Sequence, residues 1–105
     1  MIVRIVKLTF RAEEIEAFKS IFETSKKSIR NFEGIAHLES LQSKNDPRIF
    51  FTYSHWQDEA ALENYRHSPL FKDTWAKTKA LFAEKPEAWS NELIDRLPWD
   101  QKSPS

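Results

Sequence analysis

Hydrophobic residues in this chain follow two spacings, and the order in which those spacings alternate limits the fold more than any other feature. From Ile2 to Phe10 the side chains alternate as in a strand. Ile2, Val6, Leu8 and Phe10 share one face, with Arg4 among them, while Val3 and Ile5, continuing to Lys7, share the other. From Ala12 to Arg30 the apolar residues step by three and four through Ile15, Phe18, Phe22, Ser25 and Ile29, the stripe of one helix face. Glu13 and Glu14 open that segment and Lys26, Lys27 and Arg30 close it, so the charges complement a helix dipole. The only glycine, Gly34, follows in Asn31-Phe32-Glu33-Gly34, where a left-handed turn costs least. Strand patterns return in Ile35 to Leu41 and in Arg48 to Trp56, on either side of the turn cluster Ser43-Lys44-Asn45-Asp46-Pro47.

The second helical region is divided. Asp58 begins a short helix, and Ser68 caps a successor that has Pro69 at its first position, where a missing N–H does no harm. The successor's stripe is Phe71, Thr74, Trp75, Thr78, Leu81 and Phe82, with Pro86 as its end, and Ala88 to Ile94 is a weaker fourth strand. The order is β-α-β-β-α-β with a split second helix. It specifies an α+β, ferredoxin-like sandwich in which an antiparallel sheet carries helices on one face. At 105 residues the chain is too short to divide into two cores, so residues 1–96 are read as one domain. Residues 97–105, with two prolines and two serines, are read as a C-terminal tail.

The sheet face away from the helices is too apolar to meet water. Alternation places Val3, Ile5 and Lys7 there with Ile49, Phe51, Tyr53 and His55, and adds Ile35, His37, Glu39 and Leu41 from the second strand. Two copies packed sheet to sheet would close a barrel and bury both faces, so a homodimer is expected. Cover by the chain's own tail is the alternative.

Composition removes several function classes. Sixteen basic residues balance sixteen acidic ones, which leaves no electrostatic footprint for nucleic acid or an anionic membrane. The absence of cysteine excludes disulfides, thiolate metal sites and thiol catalysis. No apolar run approaches membrane-spanning length and Met1 to Phe10 lacks a secretory signal pattern, so a cytoplasmic location is expected. A single glycine rules out a glycine-rich loop for phosphates or a dinucleotide, and no Gly-x-Ser-x-Gly elbow occurs.

Two groups of residues are candidates for chemistry. His37, Glu39, Tyr53 and His55 form a polar set on the outer sheet face, suited either to a metal or to mutual hydrogen bonding at an interface. No pair in it has the i, i+4 helical spacing common in metalloenzymes, and no metal is expected. On the helix side lie Trp56, Tyr65, Phe71 and Trp75, with Thr52 and Ser54 on the matching strand face. A kinked helix over a sheet leaves a gap, and aromatic walls with a few hydroxyls suit a flat organic ligand. Plain core packing is the competing reading of the same stripe. His67 is read as an exposed junction residue and Trp89 as packing.

The run Trp56-Gln57-Asp58-Glu59-Ala60-Ala61-Leu62-Glu63-Asn64-Tyr65-Arg66, continued by Ser68-Pro69-Leu70-Phe71, carries a family resemblance. It follows a strand from Ile49 to His55 and leads into the helix that bears Trp75. Over about Ile2 to Ile94 the chain resembles the antibiotic biosynthesis monooxygenase-like branch of the dimeric α/β-barrel superfamily. The resemblance implies oxidation of a flat aromatic or quinol-type substrate by O2 without a bound cofactor, the substrate carbanion supplying the electrons. Heme-degrading members of the superfamily use an Asn, a Trp and a His at places that here hold Val6, Tyr65 and Trp75, so heme degradation is not expected. Quinol-oxidising members often carry a His where this chain has Tyr65, whose phenol is a poor base at neutral pH. The catalytic base is therefore unassigned, and the expected substrate-binding residues are Tyr65, Trp75, Trp56, Phe71 and Ser54. Two other functions remain open: a non-catalytic small-molecule binder on the same scaffold, and an isomerase or decyclase using a His base.

Overall fold

The computed structural model describes residues 1–96. Strand β1 (Ile2–Thr9) leads through a 3₁₀ turn (Ala12–Glu14) into helix α1 (Ile15–Arg30), followed by β2 (Ile35–Gln42) and β3 (Ile49–Trp56). Helices α2 (Glu59–Arg66) and α3 (Pro69–Lys79) come next, and β4 (Glu87–Glu92) ends the domain. The tail expected at residues 97–105 lies outside the described residues.

The sheet has the order β2-β3-β1-β4, and every neighbouring pair is antiparallel. This is the expected α+β ferredoxin-like architecture. In the central pair Arg4 faces Ser54, Val6 faces Thr52 and Leu8 faces Phe50, which sets all six on the helix side. Leu8, Phe10, Phe50 and Phe18 of α1 make the buried core there. The Phe10 ring stacks on Phe18 at 4.4 Å and meets Phe50 edge-on at 5.7 Å.

Local chemistry explains where the helices start and how the chain turns. The Asp58 side chain accepts a hydrogen bond from the Ala61 N–H at 2.8 Å, which caps α2. Ser68 caps α3 by accepting from the Phe71 N–H at 3.1 Å, with Pro69 at the first helical position. Gly34 adopts φ +90°, and its carbonyl accepts a hydrogen bond from the Gln57 N–H at 2.7 Å. That bond ties the start of β2 to the exit of β3.

Three expectations are corrected. The stripe through Leu81 and Phe82 is not all helix, because α3 ends at Lys79. Beyond it Phe82 bridges Phe10, and the Ala83 N–H donates to the Thr9 carbonyl at 2.9 Å, so pairing with the end of β1 takes the backbone groups a longer helix would have used. Ile35 does not continue the outer face of His37, Glu39 and Leu41. A β-bulge between Ile35 and His37 pairs Ile35 with Trp56, a helix-side position. Trp89 is not packed. It pairs with Ile5 on the edge strand β4 and remains 46% exposed, because the helices do not cover that face.

Candidate ligand cavity

Between the split helix and the sheet the chain encloses a cavity of about 360 Å³, within the range of small-molecule sites. Its floor is the helix-facing row of the sheet, including Arg4, Val6, Thr52, Ser54 and Trp56. One wall is the apolar stripe of α1, with Phe18, Phe22 and Ile29. The other comes from both segments of the split helix: Tyr65 and Arg66 from α2, and Phe71, Thr74 and Trp75 from α3. All five expected residues, Tyr65, Trp75, Trp56, Phe71 and Ser54, line this one space.

The rings form a continuous series. Trp56 stacks on Tyr65 at 4.9 Å, Tyr65 meets Phe71 edge-on at 5.2 Å, and Phe71 stacks on Trp75 at 5.8 Å. Ser68 holds the two helical segments in this relation. Its hydroxyl donates to the Tyr65 carbonyl at 2.6 Å while accepting from the Phe71 N–H, so one buried side chain links the backbones that carry two of the cavity rings. Trp75 also packs against the buried phenylalanine core. The pocket and core readings of the aromatic stripe therefore meet in the same residue.

The polar lining is spread over the sheet (Arg4, Thr52, Ser54), α1 (Ser25) and the split helix (Tyr65, Arg66, Thr74, Thr78). Ser54 accepts from the Trp56 indole N–H at 3.0 Å, which satisfies a buried donor and fixes the ring. Burial pushes the Tyr65 phenol up to about 12, so it keeps its proton at neutral pH and acts as a hydrogen-bond donor. Arg4 donates to Ser90 Oγ at 2.9 Å. Burial holds its pKa below the usual arginine value, with further lowering by the nearby Arg66 and an opposing effect from Glu63. The sequence reading gave neither arginine a role. The signal for Arg4 was there, since it is the one charged residue on the helix-facing side of β1.

None of the three histidines lines the cavity, and neither does any Asp or Glu among the described residues. The isomerase reading built on a His base thus finds no imidazole there, nor is there a His to ligate a heme iron. His67 is an exposed junction residue, as expected, with Nδ1 2.8 Å from the Glu63 carbonyl.

The outer-face set is assembled but divided in its bonding. His37 pairs with His55 across β2 and β3, and His37 Nε2 lies 3.0 Å from Glu39 Oε1. His55 Nδ1 instead accepts from the Arg96 guanidinium at 2.7 Å, while its ring lies 5.2 Å from that of His37. Burial, then the charge of Arg96, then His37 hold the His55 pKa below its ordinary value, with Glu39 opposing. Among the described residues no group of three or more His, Asp or Glu is arranged to hold a metal ion. Nor is any helix there long and apolar enough to cross a membrane.

The sequence model of the antibiotic biosynthesis monooxygenase family matches residues 1–77. The chain belongs to this family. No curated protein matches the sequence, whereas solved structures do. An antibiotic biosynthesis monooxygenase-type protein of Nitrosomonas europaea superposes with a TM-score of 0.85 at 19% identity, over 90% of this chain and 100% of that one. A conserved protein of Methanosarcina mazei gives 0.81 at 20% identity, over 87% and 91%. SnoaB, a cofactor-independent oxygenase of Streptomyces nogalater, gives 0.82 at 16% identity, over 92% and 96%. At these identities the likeness establishes a shared fold. In this antibiotic biosynthesis monooxygenase family member, the family match covers β1 to most of α3 and so includes the break between the two segments of the split helix.

Proposed function

We propose that the protein is a cofactor-independent monooxygenase that oxidises a flat aromatic or quinol-type substrate with O2. The observation that carries this reading is the aromatic cavity of Tyr65, Trp75, Trp56 and Phe71 in a member of a monooxygenase family. A ring CH₂ flanked by electron-withdrawing groups loses a proton, and the carbanion passes its electrons to O2. The balance is R₂CH₂ + O₂ → R₂C=O + H₂O, which needs no external reductant. The cavity contributes orientation and a dry apolar wall, and the protonated Tyr65 hydroxyl orients a substrate oxygen. Among the described residues no Asp, Glu or His lines the site to accept that proton, so the proposed acceptor is a water that enters with the substrate.

That same lack of a base favours a second reading, a non-catalytic binder of flat aromatic molecules on the same scaffold. An oxygen electrode with a panel of quinols and anthrones separates the two. Uptake in proportion to product supports the monooxygenase, whereas binding with no uptake across the panel leaves only the binder. Tyr65→Phe keeps the ring and is expected to cost the site about 0.5–1.5 kcal/mol of substrate or transition-state interaction, with little change in melting temperature. Trp75→Ala is expected to weaken ligand binding by about 1–3 kcal/mol and also to lower stability, since Trp75 touches the core. If both variants lose stability and the parent binds no quinone or polycyclic ligand, these rings are core alone.

We also infer a homodimer formed through the outer sheet face. Support comes from Ile5, Ile49 and Phe51 on that face, with Leu41 and Trp89 each nearly half exposed beside them. Light scattering of the parent protein at micromolar concentration is expected to give twice the chain mass, and Phe51→Glu a monomer or an unfolded chain. A stable parent monomer ends this reading.

A further inference from the structure

We propose that the ligand of this cavity carries an anionic oxygen, as a carboxylate or an ionised phenol, gripped by Arg4 and Arg66, which both line the aromatic cleft. The inference rests on the ligand-binding reading above and narrows it to acidic aromatic molecules.

Arg4 is out of place unless something negative joins it. It lies on the helix-facing row of β1, between Ser54 on one neighbouring strand and Ser90 on the other. Arg4 lines an otherwise mainly apolar cavity, and among the described residues it makes no ion pair, only the hydrogen bond to the neutral Ser90 hydroxyl. A guanidinium does not deprotonate near neutral pH, so a half-buried one keeps its charge and bears the desolvation cost. Arg66 from α2 lines the same space, which sets two cations against the single carboxylate of Glu63. Glu63 is itself engaged with Arg66 at 3.0 Å in a partly exposed pair, the kind that contributes little and rearranges readily.

Two guanidinium side chains lining one aromatic cleft supply planar donors matched to a carboxylate or phenolate oxygen. The arginines hold the ligand's ionised group, a separate matter from the ring C–H proton that oxidation would remove. The rings hold the flat skeleton, and the arginines set which end enters toward Ser54.

Isothermal titration of the full chain with three probes of one skeleton tests this: 2-naphthoate, its neutral near-isostere 2-naphthamide, and 2-naphthol. The parent protein is expected to bind 2-naphthoate at least about tenfold more tightly than 2-naphthamide, a gap that narrows with added salt. Arg4→Gln should bring the two within about twofold, and Arg4→Lys should fall between because it keeps charge without the fork. Affinity for 2-naphthol that rises as its hydroxyl ionises identifies a phenolate as an accepted source of the charge. A flat profile assigns recognition to the carboxylate. If Arg4→Gln does not fold, Arg66→Gln provides the same comparison from an exposed helix end, with a reduced gap expected. Equal binding of naphthoate and naphthamide by the parent overturns the anion inference while leaving the cavity reading intact, and so does a gap unchanged in every folded arginine variant. Binding of none of the three ends both.

Discussion

Gly34→Ala is expected to destabilise the protein by about 2–4 kcal/mol, combining left-handed backbone strain with a steric clash. At φ +90° an added Cβ would clash with the Cβ of Ala61, in the first half of α2. Relief would require moving that helix, whose next residues include Leu62 and Tyr65 of the cavity wall. The consequence should reach function as well as stability: ligand affinity should fall in Gly34→Ala even under conditions where the variant is fully folded. Urea titration of Gly34→Ala, Ala61→Gly and the double variant isolates the clash. The double variant should lose at least about 1 kcal/mol less than the two single losses added together. Strict additivity would show that α2 does not rest on Gly34.

Phe10→Ala is expected to cost about 3–5 kcal/mol. The ring is fully buried and contacts Phe18, Phe50 and Phe82, whose centroids lie 4.4, 5.7 and 5.4 Å away. A domain of this size has about 5–15 kcal/mol of stability in total, so a substantial fraction of the variant should be unfolded at physiological temperature. Phe10→Leu should lose much less, about 1.5 kcal/mol or under, because it leaves little void. Circular dichroism melts of the two variants check the contrast. A small loss in Phe10→Ala would place the centre of the core elsewhere.

Much of the cavity was legible because two simple periods met. Strand alternation put Thr52, Ser54 and Trp56 on the face that helices cover, and helical spacing put Phe71 and Trp75 on one stripe. The break at Ser68-Pro69 was legible too, since a capping hydroxyl and a residue without an N–H carry their meaning locally. Arg4 was visible as a charge in an apolar row, but its importance was not. That depends on Arg66, which only the packing of α2 against β3 and α3 brings to the same space.

The sequence by itself determined the element order, the two sheet faces and the split of the second helix, because each follows from side-chain periodicity or a local backbone constraint. Tertiary structure decided what depends on partners distant in the chain. The pairing of Phe82 with Phe10 ended α3 at Lys79 against its own apolar stripe. The bulge at Ile35 broke the alternation of β2 because ladder hydrogen bonds, rather than side-chain pattern, set the local register. The Arg96 contact gave His55 a hydrogen-bond partner of its own beside the histidine–glutamate pair that the strand pattern placed next to it. In each case a backbone or charged group was satisfied by a neighbour that no local spacing reveals.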